Sequence, residues 1–156
     1  MLQQLGHSTD NNCRESLQHM SPRRINVFFY GLFMDAGLLR AKGANPVNIR
    51  LACVPGYALR IGQRATLIEN NQARSYGMLM ELTHDEIEQL YSEASVRAYR
   101  PEAVLTELSD RSRLPALCFN LVVPPGPEEA NSEYASKLRT LARQLGLPAH
   151  YVESIH

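Results

Sequence analysis

The segment VFFYGLFMDAGLL, residues 27–39, constrains this chain more than any other stretch. INVFFY (residues 25–30) is a short β-branched and aromatic run that stops at Gly31, the pattern of a buried strand. Leu32, Phe33 and Met34 follow, and Asp35 is placed to cap a short helix, AGLLRAKG, that Gly43 ends. Such a strand needs a sheet around it, and the turn into the helix leaves backbone amides near a glycine. That glycine is required either by packing or by a ligand that approaches the backbone.

The rest of the chain is mainly strands with helices inserted between them. VNIRLACV and GYALRIG (47–62) alternate as strands, interrupted at Pro55-Gly56. RATLIENN is expected to turn through Asn70-Asn71 into ARSYGMLMEL as a hairpin. THDEIEQLYSE (83–93) opens with a capping box, Thr83 as N-cap and Glu86 three residues on, and places Ile87, Leu90 and Tyr91 on one face. EAVLTEL (102–108) and ALCFNLVV (116–123) are strands, and Pro124, Pro125 and Pro127 break the chain after them. SEYASKLRTLARQLG is an amphipathic helix with Tyr134, Leu138, Leu141 and Leu145 at helical spacing, ended by Gly146. LPAHYVESI forms a last short helical turn. This order predicts an α+β domain, a small mixed β-barrel-like sheet with flanking helices. The 156 residues suit one domain over 23–156, with the polar residues 1–22 as a flexible N-terminal extension.

Sixteen basic and sixteen acidic residues leave no formal net charge. A nucleic-acid or membrane-surface partner is therefore not expected, since the long-range attraction is missing. Neither a membrane-spanning run nor a secretory leader is expected, which makes a cytoplasmic location the default. Cys13, Cys53 and Cys118 are too far apart in sequence for a local disulfide framework or a CxxC site. His7, Cys13 and His19 have spacings that suggest no zinc site, so neither metal nor cofactor is expected. There is no GxGxxG, no GxxxxGK[ST] and no GxSxG. His84 reads as a solvated or capping residue.

Taken in order, several short motifs resemble the γ-glutamylcyclotransferase family, including its AIG2-like branch. They are FFYGLFM after the first strand, PGYALRIG, SYGMLMEL, LYSEASVRAYRPEAVL and the terminal SEYASKLRTLARQLGLPAHYVESI. The likeness runs over about residues 25–155, and the order of the motifs carries it. Where the family usually has YGS or YGT, this chain has Leu32 in the third place. Where the family has LDxxEG, this chain has Tyr91 for the aspartate, Ala94 for the glutamate and Ser95 for the glycine, with Glu93 one place early.

The resemblance implies release of 5-oxoproline, as the α-amine of a γ-glutamyl group attacks its own γ-carbonyl. Ring closure is intramolecular, and well-oriented cases reach effective molarities of about 10⁵ M or more. One carboxyl group of raised pKa can serve both proton steps, and backbone N–H groups can hold the oxyanion or a substrate carboxylate. The resemblance assigns the proton-carrying, catalytic role to Glu93. It assigns substrate binding to the Tyr30-Gly31-Leu32-Phe33-Met34 loop, with Gly31 keeping a side chain out of the ligand's way, and to Tyr99. The partner it implies is a small γ-glutamyl compound, and an unpaired barrel edge would allow a homodimer.

Plainer readings stand beside these. Tyr99 is equally a core tyrosine with a satisfied hydroxyl, and Gly31 a plain turn residue. Arg97 and Arg100 read as surface charges, Glu86 and Glu88 as capping and solubility, and Tyr57 and Tyr76 as structural. A relative without catalysis would keep the cavity as a binding module for a small carboxylate or γ-glutamyl ligand. A protein-interaction domain would instead rest on the polar N-terminal arm.

Overall fold

The computed structural model describes residues 22–156. The expected extension, apart from Pro22, and the His7, Cys13 and His19 set lie outside the described residues. Five strands form a closed barrel in the order β1-β3-β2-β4-β5, with β1 Arg24–Phe29, β2 Val47–Ile61, β3 Ala65–Thr83, β4 Tyr99–Leu108 and β5 Arg113–Leu121. All pairings are antiparallel except β1 with β5, which run parallel and close the barrel at Val27 opposite Leu117. Among the described residues four helices flank the barrel: α1 Ala36–Ala41, α2 His84–Leu90, α3 Ser132–Leu145 and α4 Ala149–Ser154.

The strand, turn and helix around Gly31 form as expected. A 3-10 turn over Leu32–Met34 joins β1 to α1, and Asp35 Oδ1 accepts from the Gly37 N–H at 2.9 Å as N-cap. The capping box of α2 is complete: Glu86 N–H donates to Thr83 Oγ1 at 3.2 Å, and Thr83 N–H donates to Glu86 Oε1 at 2.8 Å. The second Glu86 oxygen accepts from the Asn45 backbone N–H and ties α2 to the entry of β2.

Two expectations need correction. The break at Pro55-Gly56 does not divide β2, and no hairpin turns at Asn70-Asn71. β2 and β3 are continuous, and the hairpin between them turns at Gly62–Arg64, where Gly62 N–H donates to Arg64 O. Pairing passes from Pro55 opposite Arg74 directly to Tyr57 opposite Glu69. Gly56, at φ +86°, and residues 70–73 thus form an irregularity in the ladder between the two strands. Asn70 does turn the chain locally, its side chain accepting from Gln72 N–H. The flanking pairs hold that turn inside the ladder.

The core joins barrel to helices. Phe28, Met34, Leu39, Leu79, Met80, Leu82 and Leu138 are each less than 2% exposed. Leu138, with Ala135 and Ala142, fixes α3 on the barrel, and full burial of a leucine stabilises by about 1.5–3 kcal/mol. Gly146 ends α3 in the left-handed conformation, φ +82°. No helix among the described residues is long and apolar enough to cross a membrane.

Candidate functional site

The residues after β1 open onto a cavity of about 310 Å³. Tyr30, Gly31, Leu32 and Phe33 form one wall, and Gln63, Arg64 and Ala65 from the β2–β3 turn form another. The chain after α2 contributes Tyr91, Ser95, Val96 and Tyr99, while Phe119 comes from β5 and Tyr134 from α3. Eight of the sixteen lining residues are aromatic, although the chain holds only seven tyrosines and four phenylalanines. All four phenylalanines are among them. Folding has concentrated the aromatic side chains at one site.

The rings pack as a connected set. Tyr91 stacks on Phe119 at 3.9 Å between centroids, and Phe33 meets Tyr91 edge-on at 5.9 Å. Two hydroxyls are committed to backbone carbonyls. Tyr30 donates to Phe119 O at 2.6 Å, and Tyr99 donates to Ala65 O at 2.5 Å. Burial drives the Tyr30 and Tyr91 phenols well above their ordinary range, and burial with the nearby Tyr134 pushes Tyr99 up to about 12. These phenols are neutral at physiological pH.

Gly31 is explained by a close approach. Its backbone is extended, with φ −107° and ψ −153°, so no left-handed conformation requires glycine there. A Cβ on Gly31 would instead lie 2.6 Å from the Tyr134 hydroxyl. That hydroxyl stands over the loop with the Leu32 backbone N–H facing its oxygen, and burial raises its pKa. The Tyr134 hydroxyl thus fills the space beside Gly31 that a side chain would need.

The structure brings five of the expected site residues, Tyr30, Gly31, Leu32, Phe33 and Tyr99, to one cavity. Met34 and Glu93 stand elsewhere. Met34 is 1% exposed, faces the core, and its N–H donates to Gly31 O within the 3-10 turn. α2 ends at Leu90, so Glu93 lies in the turns that follow. Its backbone carbonyl accepts from Val96 and Arg97 N–H, while its carboxylate reaches Lys42 Nζ at 2.8 and 3.0 Å. The Glu93 side chain is 39% exposed. Among the described residues, no aspartate or glutamate lines the cavity, and Arg64 is its one charged residue.

Sequence reasoning did not single out Arg64, Phe119 or Tyr134 for the site, and it read Tyr91 as part of a helix face and as the replacement for the motif's aspartate, without a binding role. Local sequence carries no mark of their role, because each comes from a different element. Among the other expectations, His84 pairs with Glu88 at 3.1 Å on an exposed helix face. Tyr76 packs against Tyr151 and His150. Cys53 and Cys118 are buried and free. No group of three or more His, Cys, Asp or Glu among the described residues is placed to hold a metal.

No protein-family model matches the chain, and no curated protein matches it in sequence. Solved structures do. A structure described as a γ-glutamyl cyclotransferase superposes with a TM-score of 0.71 at 15% identity, covering 86% of this chain and 89% of its own. The human uncharacterized protein loc79017 gives 0.69 at 16%, covering 85% and 88%. A mouse AIG2-like protein gives 0.52 at 12%, covering 71% and 90%. The chain therefore has the γ-glutamylcyclotransferase-like fold, AIG2-like structures included.

Proposed function

We propose that the aromatic cavity binds a γ-glutamyl compound or a related small amino acid derivative, and that with its present side chains it binds rather than cyclises. The observation that carries this reading is the make-up of the lining: eight aromatic rings, one guanidinium and no carboxylate among the described residues. Tyrosine and phenylalanine faces attract an ammonium group, and a desolvated site strengthens that attraction. Arg64, with the amides of the Tyr-Gly loop, suits a carboxylate at the other end of the same ligand. The phenols are neutral and do not serve as bases, and the Tyr30 and Tyr99 hydroxyls are already committed to backbone carbonyls.

A second reading, cyclotransfer with release of 5-oxoproline, is favoured by one placement. Ser95 lines the cavity only two residues from Glu93, so a rearranged turn would bring the Glu93 carboxylate inward. It would first have to leave Lys42. Calorimetric titration with γ-glutamyl dipeptides, run beside a 5-oxoproline assay on wild type and Glu93→Gln, separates the two. Binding without product by both proteins supports the binding reading. Product from wild type that disappears in Glu93→Gln supports cyclotransfer with Glu93 as proton carrier, and absence of binding overturns both.

A further inference from the structure

Arg64 reaches the cavity from the turn between β2 and β3, and each carbonyl of that turn from Gln63 to Ala65 has a donor. Arg64 O accepts from the Gly62 N–H at 3.0 Å, and Ala65 O accepts from the Tyr99 hydroxyl. Gln63 O accepts from Asn131 Nδ2 at 3.2 Å, 68 residues further along the chain. The segment that leads to Asn131 presses on the same turn. A Cβ on Gly62 would overlap Pro125 and stand 3.1 Å from Glu129 Cβ, while Arg60 Nη1 donates to Pro125 O at 3.4 Å. The segment holds its own shape through the Gly126 N–H, which donates to Glu129 Oε2 at 2.7 Å.

Asn131 has a second task. Its Oδ1 accepts from the Tyr134 N–H at 3.0 Å as the N-cap of α3, and a backbone donor on one side with a backbone acceptor on the other leaves its amide one orientation. One side chain thus joins the first turn of α3, which carries Tyr134, to the turn that carries Arg64. Both of those residues line the cavity, and Asn131 does not. We propose that Asn131 is a positioning residue: it fixes the Arg64 wall against the Tyr134 wall, and so sets the affinity of the cavity without touching the ligand. The proposal rests on the reading of the cavity as a binding site and adds the residue that holds its two walls together. Capping alone does not call for asparagine, since aspartate and serine cap as well. Of these three, only the asparagine side chain accepts with one atom and donates with another.

Two variants separate the tasks. Asn131→Asp keeps the cap but turns an acceptor toward Gln63 O, and Asn131→Ser keeps the cap with a neutral side chain that ends one bond short of the amide nitrogen. Two backbone amides report on the two halves of the side chain by hydrogen exchange: Tyr134 on the cap, and Gly62 on the turn. In both variants the Tyr134 amide should keep its wild-type protection, while the Gly62 amide exchanges faster. Affinity for γ-glutamylalanine, titrated calorimetrically, should fall about two- to tenfold in both, the scale of one lost hydrogen bond, because the ligand then has to order the turn it binds. Wild-type exchange at Gly62 would overturn the proposal. So would wild-type affinity beside faster exchange, which would leave the bond a purely structural one, and so would a loss confined to Asn131→Asp, which would mark an effect of the added charge. If wild type itself does not bind the dipeptide while both amides behave as expected, the cavity reading fails and the positioning role falls with it.

Discussion

The Lys42 ammonium holds the Glu93 carboxylate 2.8 Å away, on the α1 side of the fold and outside the aromatic cavity. The pair ties the end of α1 to the turns after α2, and Ser95 and Val96 in those turns line the cavity. Both partners are partly exposed, 28% and 39% at the side chain, so the pair is screened by water. Lys42→Met should lower stability by only about 0.2–1 kcal/mol in urea unfolding. Its affinity for a γ-glutamyl dipeptide should match wild type, because neither residue lines the cavity. Under the binding reading the variant also forms no 5-oxoproline. Appearance of product on releasing Glu93 would turn the conclusion toward cyclotransfer.

Gly31 and Tyr134 form the second coupled pair. Gly31→Ala places a methyl group 2.6 Å from the Tyr134 hydroxyl, and overpacking of this kind costs about 1–3 kcal/mol. Tyr134→Phe removes the obstructing oxygen. The double variant should therefore be more stable than the sum of the single effects, a positive coupling that a thermal or urea double-mutant cycle measures directly. Strict additivity would mean that the two residues do not press on one another.

Tyr30 reaches across the barrel to β5. Phe119 lies opposite Pro101, which has no N–H to offer to the ladder, and the Tyr30 hydroxyl donates to the Phe119 carbonyl at 2.6 Å. Tyr30→Phe deprives that buried carbonyl of its donor and should cost about 1–3 kcal/mol. Urea unfolding measures the loss. An unchanged midpoint would mean that another donor takes the place of the hydroxyl.

The cavity phenols also set an alkaline limit. Tyr99 has a folded pKa of about 12, against 10.0 for an unperturbed tyrosine. Between these values the unfolded chain has lost a phenolic proton that the folded protein still holds, so stability falls as pH rises. The contribution is complete below pH 10.0 and is lost as pH passes through about 12. Tyr30 and Tyr91, raised chiefly by burial, act in the same direction. Unfolding free energies measured over this range should decline, with tyrosinate absorbance appearing together with unfolding. Free ionisation of the cavity tyrosines in the folded state would contradict it.

Much of the fold is legible in the chain because its elements are specified by neighbours in sequence. Asp35, Thr83 with Glu86, and Gly146 mark helix ends through contacts within a few residues, and each does so in the structure. The turn signal at Asn70-Asn71 is also local, and it misleads because the ladder with β2 continues past it. The extent of α2 shows the same limit. Periodicity carries it to Glu93, but Tyr91 turns inward to stack on Phe119 and the helix stops at Leu90.

The sequence alone determines the strand that ends at Tyr30-Gly31, the capped helices and the mixed α+β class, since period, caps and glycines act over a few residues. The family resemblance points to five residues that line the cavity: four form one contiguous loop, and Tyr99 lies in the later LYSEASVRAYRPEAVL stretch. Only the tertiary structure decides that Arg64, Tyr91, Phe119 and Tyr134 join them, and that Glu93 is held by Lys42 instead of entering the cavity. Those placements depend on barrel closure between Val27 and Leu117 and on the seating of α3 by Leu138. Contacts of that kind join residues tens of positions apart, and no local pattern encodes which side chain will face which.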